Sequence, residues 1–166
     1  MPPLGRGEFV VWRMDRAIYA PSWDSGEGAF QGGGRWNTKG ILHIVYCAVD
    51  PATAILEVAV HKGFRILDTM PHVMTSLQIE PDAVAKIHVV DPKSVPNHHW
   101  LTPGIPSIGQ QQFGDDLISK HDFVLFPSVV SKNSWNLLFD PGKAKGKYAL
   151  IDQEPFALDT RLHSAP

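Results

Sequence analysis

Short apolar runs rich in β-branched and aromatic residues recur along this chain, and they limit its fold more than any other sequence feature. Runs of this length and composition are typical of buried strands. They lie at residues 8–13, 42–47, 73–79, 84–89, 123–126, 135–139 and 148–152, with a last short piece near 156–158. Helical patterns are fewer, at 51–62 and 115–120, and they do not alternate regularly with the strands. This order predicts an α+β fold with a mostly antiparallel sheet.

The clearest helix begins after Asp50 and ends before Gly63. Aspartate is a preferred N-cap, the proline that follows suits the first helical turn, and glycine suits the end. Within this apolar helix Thr53, Glu57 and His61 are spaced four apart and share one face. The spacing alone favours a thin solvated stripe. The alternative is that the helix carries a carboxylate into a cleft, where it could stabilise positive charge on a sugar ring.

Composition narrows the class of protein. A chain of 166 residues, 43% of them hydrophobic, fits a single soluble domain spanning residues 1–166. The net charge of −2 provides no basic field for nucleic acid or an anionic membrane, so we expect direct contact with neither. The lone Cys47 excludes an internal disulfide and favours a core position in a reducing compartment. No signal-peptide pattern and no membrane-spanning apolar stretch is visible, which predicts a cytoplasmic protein.

A glycine-rich run, Gly-Gly-Gly-Arg-Trp-Asn at 32–37, lies within the polar segment 21–40, which is predicted to be a long loop. Glycine permits sharp bends and the close approach of a ligand. Arg35 offers donors that suit phosphate or carboxylate, and Trp36 offers a flat face for packing or stacking. The run therefore indicates an anion-binding or nucleotide-binding loop, although many such loops are only turns. It lacks the spacing and the following helix of a dinucleotide fingerprint.

Three later residues are also candidates for a site. Tyr46 ends an apolar run, where tyrosine is more often a core residue, although its ring could stack on a ligand. Ser128 follows a proline and lacks the glycine of a nucleophile elbow, so we reject a hydrolase triad and favour a hydrogen bond to substrate or to Glu57. Asn136 could bond to backbone in a turn, or orient an amide or ribose of a substrate. The histidines show no ligand spacing, so no metal site is predicted.

In their order along the chain, these motifs resemble the RES domain, a family named for its arginine, glutamate and serine. The shared pattern is Gly-Gly-Arg-Trp-Asn, Tyr, Leu-Glu-x-x-x-His, Pro-Ser-x-Val and Asn-x-Leu-x-x-Pro. Weaker matches lie at 108–115 and 155–162, so the resemblance spans about residues 10–162. It implies a bent, split β core with flanking helices, similar to that of ADP-ribosyltransferase toxins, around an NAD⁺ pocket.

The resemblance also implies an activity and a partner. Members are toxins of type II toxin–antitoxin pairs that consume NAD⁺ at the nicotinamide–ribose bond, as glycohydrolases or phosphorylases. One alternative is an ADP-ribosyltransferase that modifies a specific cellular protein, and another is a nucleotide-binding module without catalysis. The implied partner is an Xre-type helix-turn-helix antitoxin, and two copies of the toxin could pair within that complex. NAD⁺ would be a substrate rather than a permanently bound cofactor.

Roles for individual residues follow from the same resemblance. The catalytic residues would be Glu57, Arg35 and Ser128. The residues in contact with substrate would be Arg35, Tyr46, Trp36, Asn136 and His61. Arg35 would hold a phosphate, Tyr46 would pack against nicotinamide, and Glu57 would stabilise the positive charge that develops on the ribose. Ser128 and Asn136 would hold the substrate and Glu57 in place.

Overall fold

One seven-stranded sheet organises residues 7–159, the part of the chain that the computed structural model describes. Its strands are β1 (Phe9–Arg16), β2 (Val45–Ala48), β3 (His72–Ile79), β4 (His88–Val89), β5 (Val124–Pro127), β6 (Trp135–Phe139) and β7 (Tyr148–Phe156). They lie side by side in the order β4-β5-β6-β2-β1-β3-β7. Neighbouring strands are antiparallel except for β4 and β5, which are parallel. The predicted α+β class with a mostly antiparallel sheet is confirmed.

Helices connect the strands and pack against the sheet. They are α1 (Glu27–Gly32), α2 (Pro51–Lys62), α3 (Phe64–Thr69), α4 (Pro81–Val84) and α5 (Ile108–Lys120), with 3-10 turns at Ala17–Ser22 and His98–Leu101. The α2 helix has the predicted bounds because its local signals are strong. Asp50 Oδ1 accepts the N–H of Thr53 at 2.8 Å, and Gly63 ends the helix with φ of 80°. Within residues 7–159 no helix is both long and apolar enough to cross a membrane.

Several elements differ from the sequence prediction. The segment 21–40, predicted as loop, contains α1, and 84–89, predicted as a strand, is the end of α4 followed by the short β4. The α5 helix begins well before the predicted 115 because Ser107 caps it, its Oγ accepting the N–H of Gln110 at 3.2 Å. The β7 strand joins two predicted pieces, and α3 was not predicted. The sequence match at 160–162 lies outside the described residues.

The two halves of the sheet are joined by little strand pairing where β1 meets β2. These strands share a single register pair, Trp12 with Ala48, whereas β1 and β3 pair along their full length. Beside that pair, Arg13 Nη1 donates to the Tyr46 carbonyl at 3.0 Å and takes the place of a ladder hydrogen bond. Asp15 orients the arginine by accepting from its Nη2 at 2.8 Å. The split between the two halves of the sheet agrees with the bent core that the resemblance implied.

The two faces of the sheet are packed differently. One face carries a continuous core that includes Val11, Val45, Cys47, Leu77, Leu125, Leu137 and Phe139. The opposite face carries two smaller clusters, which we call the α5 cluster, with Trp36, Ile118, Phe126 and Leu138, and the α2 cluster, with Met14, Ala59 and Leu67. Side chains alternate between faces along a strand, so this division follows from the register. The gap between the α5 and α2 clusters lies at the split of the sheet.

Cys47 lies in the continuous core, as predicted. Its side chain is buried, and burial raises the pKa of its thiol to about 12. The thiolate is the reactive form of cysteine, so this residue is a small apolar core side chain and not a nucleophile.

The α5 helix packs closely on the turn that carries Trp36, because Gly114 has no side chain. A Cβ atom at Gly114 would lie 2.1 Å from the Trp36 carbonyl oxygen. Gly114→Ala should therefore lower the free energy of unfolding by about 1–3 kcal/mol or more, measured by chemical denaturation. The matched control is Gly109→Ala in the same helix, whose Cβ would meet only Trp100 at 3.6 Å. It should leave stability unchanged or raise it, and equal losses from both variants would contradict this account.

Candidate active site

Glu57 projects from the middle of α2, and two side chains, one from β6 and one from the loop after β5, hold its carboxylate. Its Oε1 accepts hydrogen bonds from Asn136 Nδ2 at 2.6 Å and from the Ser128 hydroxyl at 3.1 Å. Within residues 7–159, no hydrogen bond of the structure reaches Oε2. The two bonds to one oxygen fix the direction of the carboxylate and leave the other oxygen available to a ligand. The structure thus brings together three of the residues that the sequence singled out.

A chain of polar contacts joins the loop that carries Ser128 to the start of α2. The Ser128 Oγ accepts the N–H of Ser131 at 3.2 Å, and the Ser128 N–H donates to the Ser134 carbonyl at 3.0 Å. The Ser134 hydroxyl in turn donates to Asp50 Oδ2 at 2.6 Å. Burial raises the pKa of Asp50, but the hydrogen bonds from Ser134 and Thr53 outweigh this and hold it below its ordinary value. Asp50 is therefore charged. It joins the start of the helix that carries Glu57 to the loop that carries Ser128.

Arg35 and Trp36 are the central residues of a tight turn. Gly34 N–H donates to the Asn37 carbonyl at 3.0 Å and closes it. The Tyr46 hydroxyl supports the turn, because it accepts the N–H of Trp36 at 3.2 Å and donates to Asn37 Oδ1 at 2.8 Å. A Cβ at Gly34 would lie 2.6 Å from that hydroxyl oxygen, so the close approach requires glycine. The motif at 32–37 is therefore the means by which Arg35 is positioned.

Asn37 is the residue whose role the sequence analysis missed. Its side chain is fully buried, and Nδ2 donates to the Ala29 carbonyl at 2.9 Å while Oδ1 accepts from Tyr46. The signal was present, because asparagine in a glycine-rich turn often bonds nearby backbone. Burial raises the pKa of Tyr46 well above its ordinary value, so its hydroxyl stays protonated and keeps donating to Asn37. Tyr46 thus has a structural task besides the contact with nicotinamide that we predicted for it.

The Arg35 guanidinium is partly buried, and no carboxylate of residues 7–159 pairs with it. Its Nη2 donates to the Gly104 carbonyl at 3.0 Å, and Nη1 lies 3.4 Å from the carbonyls of Trp100 and Thr102. Burial lowers the pKa of Arg35, while the negative charge of Glu57 opposes that shift. The two charges therefore act on each other across the site, yet they form no ion pair within the described residues. A cavity of about 280 Å³ lies beside Arg35 at the start of α5.

Of two further predicted contacts with substrate, the structure places one residue in the core and leaves the other untested. The Trp36 ring is 1% exposed and stacks on Phe126 at 4.4 Å between centroids, so Trp36 is a core residue and not a wall of the site. His61 is exposed in the last turn of α2, and its predicted contact with substrate stays a prediction. Thr53, on the same helix face, is 2% exposed and bonds Asp50, so this face is not a solvated stripe.

This arrangement can bind a molecule with charge of both signs. Glu57 presents an unpaired carboxylate oxygen, and Arg35 presents a cation whose present partners are neutral carbonyls. Fixed charges in a partly buried site stabilise complementary charge more than the same charges do in water. A ligand with an anion near Arg35 and a developing cation near Glu57 would fit. Among residues 7–159, no three His, Cys, Asp or Glu side chains are placed to hold a metal ion.

Comparison with known proteins gives matches along most of the chain. The RES domain profile matches residues 10–159. Toxin Res of Pseudomonas putida (strain KT2440) is 32% identical over 155 residues, covering 92% of this chain and 99% of the relative. Toxin Res of Photorhabdus laumondii subsp. laumondii is 30% identical over 160 residues, covering 94% and 98%. The Prs ADP-ribosylating toxin of Sphingobium sp. (strain YBL2) is 31% identical over 141 residues, covering 82% and 84%.

A solved structure shares the fold. It is the crystal structure of the M. tuberculosis MbcT–MbcA toxin–antitoxin complex, with a TM-score of 0.63 and 17% sequence identity. The match covers 91% of this chain and 85% of the chain in that structure. At this identity the match shows a common architecture.

Removing the Tyr46 hydroxyl tests the support of the Arg35 turn. Tyr46→Phe leaves the Trp36 N–H and Asn37 Oδ1 without their partner, which should lower the free energy of unfolding by about 1–3 kcal/mol. Chemical denaturation measures this change. The matched control is Tyr19→Phe, because Tyr19 is 50% exposed and its hydroxyl is free to contact water; it should change stability by less than about 0.5 kcal/mol. If both variants behave alike, the hydroxyl does not support the turn.

Proposed function

This chain belongs to the RES domain family, and we propose that it is the toxin of a toxin–antitoxin pair and cleaves NAD⁺ between nicotinamide and ribose. The observation that carries the proposal is that Glu57 lies close enough to Arg35 to affect its pKa, while neither residue forms an ion pair among residues 7–159. Two relatives that match this chain over almost their whole length bear the name Toxin Res. A third is named an ADP-ribosylating toxin, and ADP-ribosylation breaks the same bond of NAD⁺.

The chemistry of this bond suits a single carboxylate. When it breaks, the electron pair moves to the nicotinamide nitrogen, which becomes neutral, and positive charge develops at C1′ and the ring oxygen of the ribose. Glu57 stabilises that charge with the oxygen that Ser128 and Asn136 leave open. Ordinary glycosidases need a second carboxyl group to protonate the leaving group. Nicotinamide leaves as a stable neutral molecule, so no general acid is required.

The acceptor determines the product. A water oxygen that bonds to C1′ and loses a proton to solvent gives ADP-ribose, nicotinamide and a proton. Inorganic phosphate that bonds to the same carbon gives nicotinamide and an ADP-ribose that carries the phosphate on that carbon. We propose these two reactions together, because both need the same stabilisation of C1′ by Glu57 and differ only in the nucleophile.

Arg35 binds the phosphate end of the substrate. Its guanidinium contacts the neutral carbonyls of Gly104, Trp100 and Thr102. Phosphate oxygens would replace these acceptors with charge-assisted hydrogen bonds, which are about twice as strong as neutral ones. The planar fork of arginine also suits two phosphate oxygens at once. NAD⁺ is accordingly a substrate of the site, and no resident cofactor is proposed.

A second candidate function is transfer of ADP-ribose to a cellular protein. The Sphingobium relative, named Prs ADP-ribosylating toxin, favours it at 31% identity. The transfer would use the same cleavage step, with a side chain of the target protein in place of water. Incubation with labelled NAD⁺ and cell extract separates the two functions, because transfer leaves label on a protein band and hydrolysis leaves it in free ADP-ribose.

The proposal includes a protein antitoxin. The fold match is to a toxin–antitoxin complex, and an enzyme that consumes NAD⁺ harms the cell that makes it unless a partner blocks it. An Xre-type helix-turn-helix antitoxin, a toxin homodimer within the complex and a cytoplasmic location stay predictions from the sequence. Co-expression with the product of the neighbouring gene, followed by size-exclusion chromatography, tests for a stable complex.

Neutralising Glu57 tests the catalytic role. Glu57→Gln keeps the size of the side chain and an oxygen that can accept from Ser128 and Asn136, but it removes the negative charge. We expect nicotinamide release from NAD⁺, measured by liquid chromatography, to fall by about 10²–10³ while the melting temperature stays close to wild type. The matched control is Glu27→Gln on α1, whose carboxylate is 52% exposed, and it should keep full activity. A folded Glu57→Gln protein with the wild-type rate would refute the assignment.

Removing the charge of Arg35 tests its contact with phosphate. Arg35→Gln should lower kcat/KM for NAD⁺ by about ten- to a hundredfold, mainly through KM, because charge-assisted hydrogen bonds to phosphate are lost. Nicotinamide riboside carries no phosphate, so its slower cleavage should change little. Comparing both substrates in one assay gives the measurement. A loss of the same size for both would mean that Arg35 acts on the fold or on the reacting end instead.

A further inference from the structure

Two buried side-chain atoms in residues 7–159 have no hydrogen-bond partner, and one of them lies at the active site. They are Thr38 Oγ1 and Asn136 Oδ1. Thr38 follows the turn that carries Arg35, and its N–H is bound by Asp115. Asn136 Oδ1 belongs to the amide that holds Glu57. Folded proteins rarely leave a buried polar atom unpaired, because the group has lost its water and gained nothing in return.

The orientation of the Asn136 amide is determined by its other end. Nδ2 donates to Glu57 Oε1 at 2.6 Å, whereas a flipped amide would place Oδ1 against the carboxylate oxygen. Two acceptors in contact repel each other, so the flip is excluded while Glu57 is ionised. Ser128 does not donate to Asn136 Oδ1, since its hydroxyl proton is directed to Glu57 Oε1. Oδ1 is therefore an acceptor without a donor, next to the carboxylate that faces the reacting carbon.

We infer that Asn136 Oδ1 accepts a hydrogen bond from the ribose 2′-hydroxyl of the substrate, an inference that rests on the proposed function. Glu57 acts on C1′, so groups attached close to C1′ come nearest to the amide bound to Glu57. The 2′-hydroxyl is on the adjacent carbon and can donate. The carboxamide of nicotinamide also carries N–H donors, but the pyridine ring separates it from C1′.

Asn136 then has two tasks that belong to different atoms. Its Nδ2 positions Glu57, a task that it shares with Ser128, and its Oδ1 binds the sugar. A substrate without the 2′-hydroxyl would leave Oδ1 unpaired in the complex. A site built around such an acceptor discriminates against the analogue that lacks the donor. Asn136 is therefore a specificity-determining residue for ribose over 2′-deoxyribose at the reacting end.

The test compares NAD⁺ with its analogue that lacks the 2′-hydroxyl on the nicotinamide ribose. Nicotinamide release is measured above the uncatalysed background for wild type, Asn136→Leu and Ser128→Ala. Wild type should prefer NAD⁺ by on the order of ten- to a hundredfold in kcat/KM, relative to the uncatalysed rates. Asn136→Leu should lose this preference. Ser128→Ala is the matched control, because it removes the other bond to Glu57 Oε1 and should lower turnover of both substrates while keeping the preference.

A second variant and a binding measurement complete the test. Asn136→Asp keeps an acceptor oxygen, so it should keep the preference even though its charge beside Glu57 slows turnover. Calorimetry with the Glu57→Gln protein and its Asn136→Leu double variant compares the affinities for both dinucleotides without turnover. A preference that is unchanged in Asn136→Leu, or absent from wild type, overturns the inference and leaves NAD⁺ cleavage intact. If wild type cleaves neither dinucleotide, the proposed function fails, and the calorimetric preference alone decides for or against the contact.

Discussion

The carboxylate of Asp50 joins parts of the chain that must meet for the site to exist. It caps α2 through the Thr53 N–H and accepts the Ser134 hydroxyl from the loop after β5. The helix supplies Glu57 and the loop supplies Ser128, so one partly buried carboxylate holds both in position. A negative charge is also favourable at the start of a helix, where backbone N–H groups point outwards. The arrangement of Glu57 and Ser128 therefore depends on the carboxylate at the start of α2.

One face of the sheet carries the continuous core, and the other face leaves a gap in which the polar residues around Glu57 lie. The continuous core uses the alternate residues of β1, β2, β3, β5 and β6, while the opposite face divides into the α5 and α2 clusters. Because β1 and β2 share only one register pair, the strands separate where the site lies. Polar groups such as Glu57 and Asn136 can lie there without disrupting the main core, since that core is complete without them.

Much of the fold could be predicted from the sequence wherever the sequence signals are local. The α2 helix has a cap, a proline and a terminal glycine, and the strands are short apolar runs, so both were found. The start of α5 was missed because its first turns are rich in glycine and glutamine and lack an apolar period. The burial of Trp36 was missed because it depends on Phe126, which lies far away in the chain. Glu57, Ser128 and Asn136 were singled out through the order of motifs, and the contacts of Ser128 and Asn136 with Glu57 were predicted, but which atoms meet required the fold.

The contacts of Arg35 have a consequence for how a ligand enters. The guanidinium donates to carbonyl oxygens of the segment 100–104, and the phosphate oxygens of the proposed substrate would replace these acceptors. Binding is then an exchange of one set of acceptors for another, and only the difference between charged and neutral oxygens contributes to affinity. These carbonyls give the partly buried cation hydrogen-bond partners, and a phosphate bound to Arg35 would release the segment 100–104 from it. Binding of the proposed substrate would therefore free the backbone next to Ile105, a residue that is 99% exposed.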